Sequence, residues 1–210
     1  MCNVKSGIIL KDRVFVPAYD SHEKMLEELG IKDDSREPNF VRVELSPIDG
    51  DMFTAVEDWK YCVDQDFRPG WYVPEVDEKR MRAAVKEWYD EHVFIGKNNL
   101  NIVAKNDDCY YLKDCKDATV RAYDNATVEA YDNATVEAYG NATVEAYGNA
   151  TVRAYDNATV RAYDNATVVI PSWSSNKKEN IVLMQNSTLK DCNAKTLYQS
   201  GDWKLVSVKE

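Results

Sequence analysis

The sequence predicts an α+β head followed by a parallel β-solenoid with about sixteen residues, two octads, in each coil. The first observation behind this is repetition. From Ala118 to Asn165 the chain consists of six octads of the form A-T-V-[RE]-A-Y-[DG]-N, and a seventh starts at Ala166-Thr167-Val168 before Val169 and Ile170 break the pattern. A short exact period fixes architecture before any motif does. The second observation is alternation inside the octad, where Ala, Val and Ala take turns with Thr, Arg or Glu, and Tyr. That is the signature of a strand with one buried face, and the closing Asp-Asn or Gly-Asn is turn chemistry. The third is charge register. With two octads per coil, one outer face stacks Arg121, Glu137 and Arg153, and the other stacks Glu129, Glu145 and Arg161. The turns then stack Asp124, Gly140, Asp156 and Asp132, Gly148, Asp164, so that no two turn carboxylates are neighbours. Three octads per coil would set Asp132 on Asp156, and like charges in register at a strand spacing of about 4.8 Å repel. An antiparallel meander also suits two-residue turns, but identical units that each bury only Ala and Val favour coiling, with every rung on a copy of itself.

Taken in chain order, residues 1–100 read as the head domain, with a net charge of -7 from 14 basic and 21 acidic residues. Ile8 to Leu10 and Arg13 to Val16 form paired strands around Lys11-Asp12. Asp20-x-x-Glu23 is a capping box for a short helix carrying Met25, Leu26 and Leu29 and stopped by Gly30. Phe40 to Leu45 and Trp59 to Asp64 alternate apolar with polar residues, as half-buried antiparallel strands do. A second helix runs from about Asp77 to before Gly96, with Met81, Ala84, Val85 and Trp88 on one stripe. Residues 101–117 are a linker and first cap, 118–170 the octapeptide solenoid, and 171–210 degenerate rungs and a C-terminal cap. Leu112-Lys113-Asp114-Cys115 and Leu189-Lys190-Asp191-Cys192 flank the array, and Ala194-Lys195-Thr196-Leu197-Tyr198 is a worn echo of the octad. Six octads make three coils, about 14 Å of stacked sheet, and ends so exposed need caps.

Composition narrows the function classes. Among 210 residues, 26 Lys and Arg face 36 Asp and Glu, a net charge of -10 that argues against nucleic acid and anionic membranes as partners. No apolar run approaches the roughly 18 residues that span a bilayer, and Met1 to Lys5 lacks the layout of a secretory signal, so a cytoplasmic protein is expected. The five cysteines are an odd number without a C-x-x-C pair, which indicates free thiols rather than disulfides or zinc ribbons. No G-x-G-x-x-G, Walker loop, H-E-x-x-H or G-x-S-x-G occurs.

The chemistry-bearing residues are few. His92 lies four residues after Trp88 and reads as a packed, hydrogen-bonded core residue, while His22, in the first turn of the short helix, reads as a surface residue. An enzyme would have to be built on Cys62 and His92. Trp59, Tyr61, Arg68, Trp71 and Tyr72, with Asp64 and Asp66 between them, are the most site-like stretch. Rings and a guanidinium suit a nucleotide-like or peptide ligand, whereas the structural alternative puts Trp59, Tyr61 and Val63 in the core and makes 64–70 a turn. A calcium site on Asp64 and Asp66 lacks the twelve-residue loop with its terminal Glu, and no metal or cofactor is expected. Each Asn-Ala-Thr is formally a glycosylation sequon but reads as a turn followed by a strand. One outward Thr per octad, flanked by charge and Tyr, is a poor ice-binding face. A DNA mimic would need more than the octads' -4 of alternating sign.

The segments N-V-K-S-G-I-I-L-K-D-R-V-F-V-P at 3–17, D-S-H-E-K-M-L-E-E-L-G-I at 20–31 and V-D-Q-D-F-R-P-G-W-Y-V at 63–73, with the [DG]-N-A-T-V octads, resemble a group of bacteriophage and gut-bacterial proteins. These share a common head followed by a variable number of octads. The resemblance implies expression in a bacterial host from a phage or prophage accessory gene, and carries no activity with it.

Near-identical octads hold no unique site, because chemistry needs distinct groups in one place. The sequence therefore points to a non-enzymatic interaction or scaffold protein whose solenoid is an oligomer or binding surface. Its adhesive candidates are two exposed rows, Tyr123, Tyr139, Tyr155 and Tyr131, Tyr147, Tyr163. Its partners would be further copies of the chain or a host protein. The alternatives are a binding protein that sequesters a small host nucleotide through the Trp59 to Tyr72 region, and a DNA-mimic inhibitor.

Overall fold

The computed structural model describes residues 4–33 and 39–200, and the chain divides into two compact units, Met1–Val93 and Phe94–Glu210. In the first, strands β1 (Lys5–Leu10), β2 (Val14–Phe15), β3 (Phe40–Ser46) and β4 (Lys60–Val63) form an antiparallel sheet in the order β2-β1-β3-β4. Helices α1 (His22–Glu28) and α2 (Pro74–His92) pack on it. Ile8, Met25, Leu26 and Phe40 form one buried cluster, and Met81 of α2 lies against Gly7 of β1.

The helix ends differ in detail from the sequence expectation. Ser21, not Asp20, is the N-cap of α1 and accepts a hydrogen bond from the Lys24 N–H. Asp20 is occupied elsewhere, for its Oδ1 accepts from the Lys5 ammonium at 2.9 Å and from the Ser6 N–H at 3.0 Å. That pairing is what allows Lys5 to be fully buried, since a buried charge needs a counter-charge and satisfied donors. The helix stops as expected. Gly30 takes φ +68°, and the N–H groups of Gly30 and Ile31 donate back to Glu27 and Leu26. Helix α2 begins earlier than expected, at Pro74, because proline is preorganised for a first turn and the Asp77 carboxylate accepts the Val73 N–H at 2.7 Å.

The second unit is a parallel β-solenoid of about five turns, about 16 residues per turn. Its strands alternate between two sheets. One contains β6 (Asn101–Ala104), β8 (Thr119–Ala122), β10 (Thr135–Ala138), β12 (Thr151–Ala154), β14 (Thr167–Ile170) and β16 (Thr188–Asp191), closed by β17 (Thr196–Gln199). The other contains β5 (Val93–Ile95), β7 (Cys109–Lys113), β9 (Thr127–Ala130), β11 (Thr143–Ala146), β13 (Thr159–Ala162) and β15 (Ile181–Leu183). Like stacks on like as the charge register requires, with Glu137 between Arg121 and Arg153, and Glu145 between Glu129 and Arg161. The inward Ala, Val and Ala of every octad are buried and form one continuous core.

The coil extends beyond the octads on both sides. Residues 101–117, expected as a linker and first cap, carry β6 and β7, which stack in parallel register on β8 and β9. Here 18 residues separate paired positions instead of 16, and the inward sites are filled by larger side chains, Ile102, Tyr110 and Leu112. Downstream, β15 and β16 are true rungs, reached through the insertion at 171–180. The echo at 194–198 is not a rung. Strand β17 runs antiparallel to β16, because the Asp191 carboxylate accepts the N–H groups of Asn193 and Ala194 and Lys195 takes φ +52°, turning the chain back. Among the described residues no helix is long and apolar enough to cross a membrane.

Candidate functional site

The octads convert one local sequence into surface columns. In each turn the seventh residue takes left-handed backbone, at Asp124, Asp132, Gly140, Gly148, Asp156 and Asp164, and the turn closes through hydrogen bonds such as Ala126 N–H to the Tyr123 carbonyl. Tyr, at position six, donates its N–H to the Ala carbonyl of the preceding coil, at 2.8 Å for Tyr139 and 2.9 Å for Tyr155. This fixes each ring over the one before it. The stacked pairs are Tyr123 on Tyr139 (5.0 Å between centroids), Tyr139 on Tyr155 (4.4 Å), Tyr131 on Tyr147 (4.4 Å) and Tyr147 on Tyr163 (4.5 Å), all within 10° of parallel.

Stacking corrects the expectation of exposed tyrosine rows. The rings cover one another, five of the six are half-buried, and Tyr155 is only 5% exposed. What a partner can reach is the edge of each column and its end. Trp173 stacks on Tyr155 at 4.7 Å, finishes the first column, and is itself 72% exposed. The ring environment also changes the phenols. Tyr139 is pushed up to about 12 by burial and by the Glu137 carboxylate, and Tyr147 is raised by burial and by its hydrogen bond to Glu145.

The outer faces between the columns carry mixed charge. Arg121 Nε meets Glu137 Oε2 at 3.0 Å and Arg161 Nη1 meets Glu145 Oε1 at 3.3 Å. Neutralised pairs of this kind are unlike the uniform negative rows that DNA mimicry requires. Apolar exposure collects on the outermost rungs instead, at Ile95, Val103, Val182 and Met184. Beside β15 a groove of about 370 Å³ is lined by Ile181, Leu183, Leu189 and Tyr198, with the Lys178 ammonium over the Tyr198 ring.

In the head, the candidate ligand residues do not form one surface. Trp59 is 1% exposed, with its indole N–H on Thr54 and its ring edge-on to Tyr89, so it belongs to the core. Tyr61 and Tyr72 share a hydroxyl hydrogen bond at 3.0 Å, and burial, with that bond adding to it, raises the Tyr61 phenol. Arg68 lies exposed over the Tyr72 ring, Trp71 is half-buried, and the neighbouring Phe67 is exposed. Cys62 is exposed on β4 with Sγ toward the Val63 carbonyl, while His92 Nδ1 meets the Trp88 carbonyl at 2.7 Å and its ring stacks on Trp88.

His22 is the residue that sequence reasoning misplaced. It is 8% exposed, its Nε2 lies 3.2 Å from the Val43 carbonyl, and its Nδ1 lies 3.2 Å from Asp64 Oδ2. Glu44 offers a carboxylate oxygen to the same spot. These groups come from α1, β3 and the end of β4, far apart in sequence, so no spacing announced them. No protein-family model, curated protein or solved structure matches this chain.

Proposed function

We propose that this chain is a non-enzymatic interaction or scaffold protein that self-associates through its solenoid. The observation that carries the reading is Trp173, an exposed ring already stacked on Tyr155 at the end of an aromatic column. Aromatic side chains held rigid by neighbours lose little entropy on contact and dominate interface energetics, and Trp leads among them. The uniform array supports the same reading, because it repeats one set of groups rather than assembling different ones. The resemblance of the head adds a context, a phage or prophage accessory protein acting in the cytoplasm of a bacterial host. Light scattering on the full chain tests the proposal. The wild type is expected to run as an oligomer and Trp173→Ser as a monomer, whereas a monomeric wild type at working concentration sinks self-association.

A second reading rests on Phe67 and Arg68, an exposed ring and guanidinium beside Tyr72 that suit a stacked base and a phosphate. It makes the head a sequestering protein for a host nucleotide. Heat-released supernatant from the purified protein should then contain nucleotide by mass spectrometry, and an empty supernatant with no thermal shift across a nucleotide panel counts against it.

A further inference from the structure

We infer that His22, Glu44 and Asp64 form a binding site for one divalent transition-metal ion of the zinc class. Hydrogen-bond direction carries the inference. The Val43 carbonyl can only accept, so the Nε2 of His22 that faces it carries the ring hydrogen. In the neutral ring this leaves Nδ1 with a bare lone pair, and Nδ1 looks at Asp64 Oδ2, a carboxylate acceptor, across 3.2 Å. Two lone pairs do not attract. The arrangement needs a cation between them, and the choices are a second proton on the imidazole or a metal ion.

Three features favour the metal. A His held by a backbone carbonyl through its far nitrogen is the usual outer-shell arrangement of a metal-ligating imidazole, because it fixes both tautomer and ring orientation. A proton would need only one carboxylate, yet Glu44 supplies a second, and the ligand atoms of all three residues lie within 4.8 Å of one another. Bonds of about 2.0–2.1 Å at the tetrahedral angle put neighbouring ligand atoms about 3.3 Å apart, close to the observed separation of Nδ1 and Oδ2. The cation two residues along β3, Arg42, pairs through Nη2 with Asp33. Nitrogen with two carboxylate oxygens is a borderline donor set that suits zinc better than calcium, and three protein ligands leave a position for solvent on the side where Asp64 is 59% exposed.

The test is equilibrium dialysis of the chelator-stripped full chain against Zn²⁺, with Co²⁺ as a spectroscopic stand-in. One equivalent per chain is expected, with the visible bands of a low-coordinate Co²⁺ site. Affinity should fall about tenfold or more in His22→Gln, Asp64→Asn and Glu44→Gln. Asp64→Asn changes an exposed side chain and leaves the Asp64 N–H on the Arg42 carbonyl, so it should fold even where His22→Gln does not. Cys62→Ser and His92→Gln should bind like wild type. Absence of stoichiometric uptake by the wild type, or uptake undiminished by Asp64→Asn and Glu44→Gln, overturns the site.

Discussion

The Gly140 N–H donates to Asp156 Oδ2 at 3.0 Å, one coil further along, and the same bond joins Gly148 to Asp164. Each turn Asp therefore works twice. It adopts the left-handed backbone that Asp and Asn tolerate, and its carboxylate satisfies an N–H that the strand ladder cannot reach. The position beneath accepts side chains as well as Gly, for Asn106 and Asp114 take the same left-handed backbone and donate their N–H groups to Asp124 and Asp132.

A substitution series at Asp156 separates the two roles. Asp156→Asn keeps both and should melt close to wild type. Asp156→Gly keeps the backbone freedom and loses the acceptor. Asp156→Ala loses both and should cost the most, about 2 kcal/mol from the left-handed penalty and the lost bond together. Thermal melting that ranks Ala above Gly would show that the left-handed backbone does not set this position.

The tyrosine columns make a comparison within one molecule. Tyr147 has a stacked ring on both sides, Tyr131 and Tyr163, whereas Tyr163 has a ring partner in Tyr147. Stacked pairs contribute about 0.5–1.5 kcal/mol each beyond their buried area. Tyr147→Ala is therefore expected to destabilise more than Tyr163→Ala, by about one such pair, in denaturant melts. Equal losses would mean that the rings pack against the coil rather than on each other.

The same columns predict a response to alkali. The Tyr139 phenol titrates at about 12 in the folded chain, against 10.0 for an ordinary tyrosine. A folded value above the unfolded one means the stabilising contribution is complete below about pH 10 and is lost as pH rises toward 12. The melting temperature should fall across that window, together with a late tyrosinate absorbance step. Tyr139→Phe, which keeps the ring and removes the proton, should flatten part of the fall.

How much of this was legible follows from where the sequence repeats. The alternation of Ala, Val and Ala with Thr and Tyr fixed the strands, and the Arg and Glu positions chose sixteen residues per coil, because stacking brings equal positions together. Rungs β6 and β7 escaped notice because they keep the alternation of burial without the residues. Ile102 and Leu112 do the work of Val and Ala. The reversal at β17 depends on Asp191 reaching the N–H groups of Asn193 and Ala194, local chemistry inside a stretch that otherwise reads as another octad. His22 was hidden for the opposite reason, since its partners are distant in sequence, Val43 in β3 and Asp64 just past β4.

Asn176 gives the last prediction, at the point where the octad ends and the solenoid continues. The insertion between β14 and β15 takes the chain off the ladder, so the Ala158 carbonyl lacks the next-coil N–H that Thr159 gives Ala142, because the Asn180 N–H turns to Lys177 instead, while the Tyr155 carbonyl keeps the Ala158 N–H of its own turn. Asn176, 5% exposed, supplies that donor, its Nδ2 donating to Ala158 O at 2.8 Å and adding a second bond to Tyr155 O at 3.1 Å. Ser174 Oγ does the same for Ala154 O at 3.0 Å. Asn176→Ala leaves the Ala158 carbonyl without its donor and the Tyr155 carbonyl with one bond instead of two, at a cost of about 1–3 kcal/mol. Asn176→Asp should be worse, because it turns a buried carboxylate toward two carbonyl oxygens, which can only accept. Because the insertion also carries Trp173, hydrogen exchange in Asn176→Ala should rise first at 171–183 while the octads before it stay protected. Uniform loss of protection would mean instead that the corner and the octads unfold as one unit.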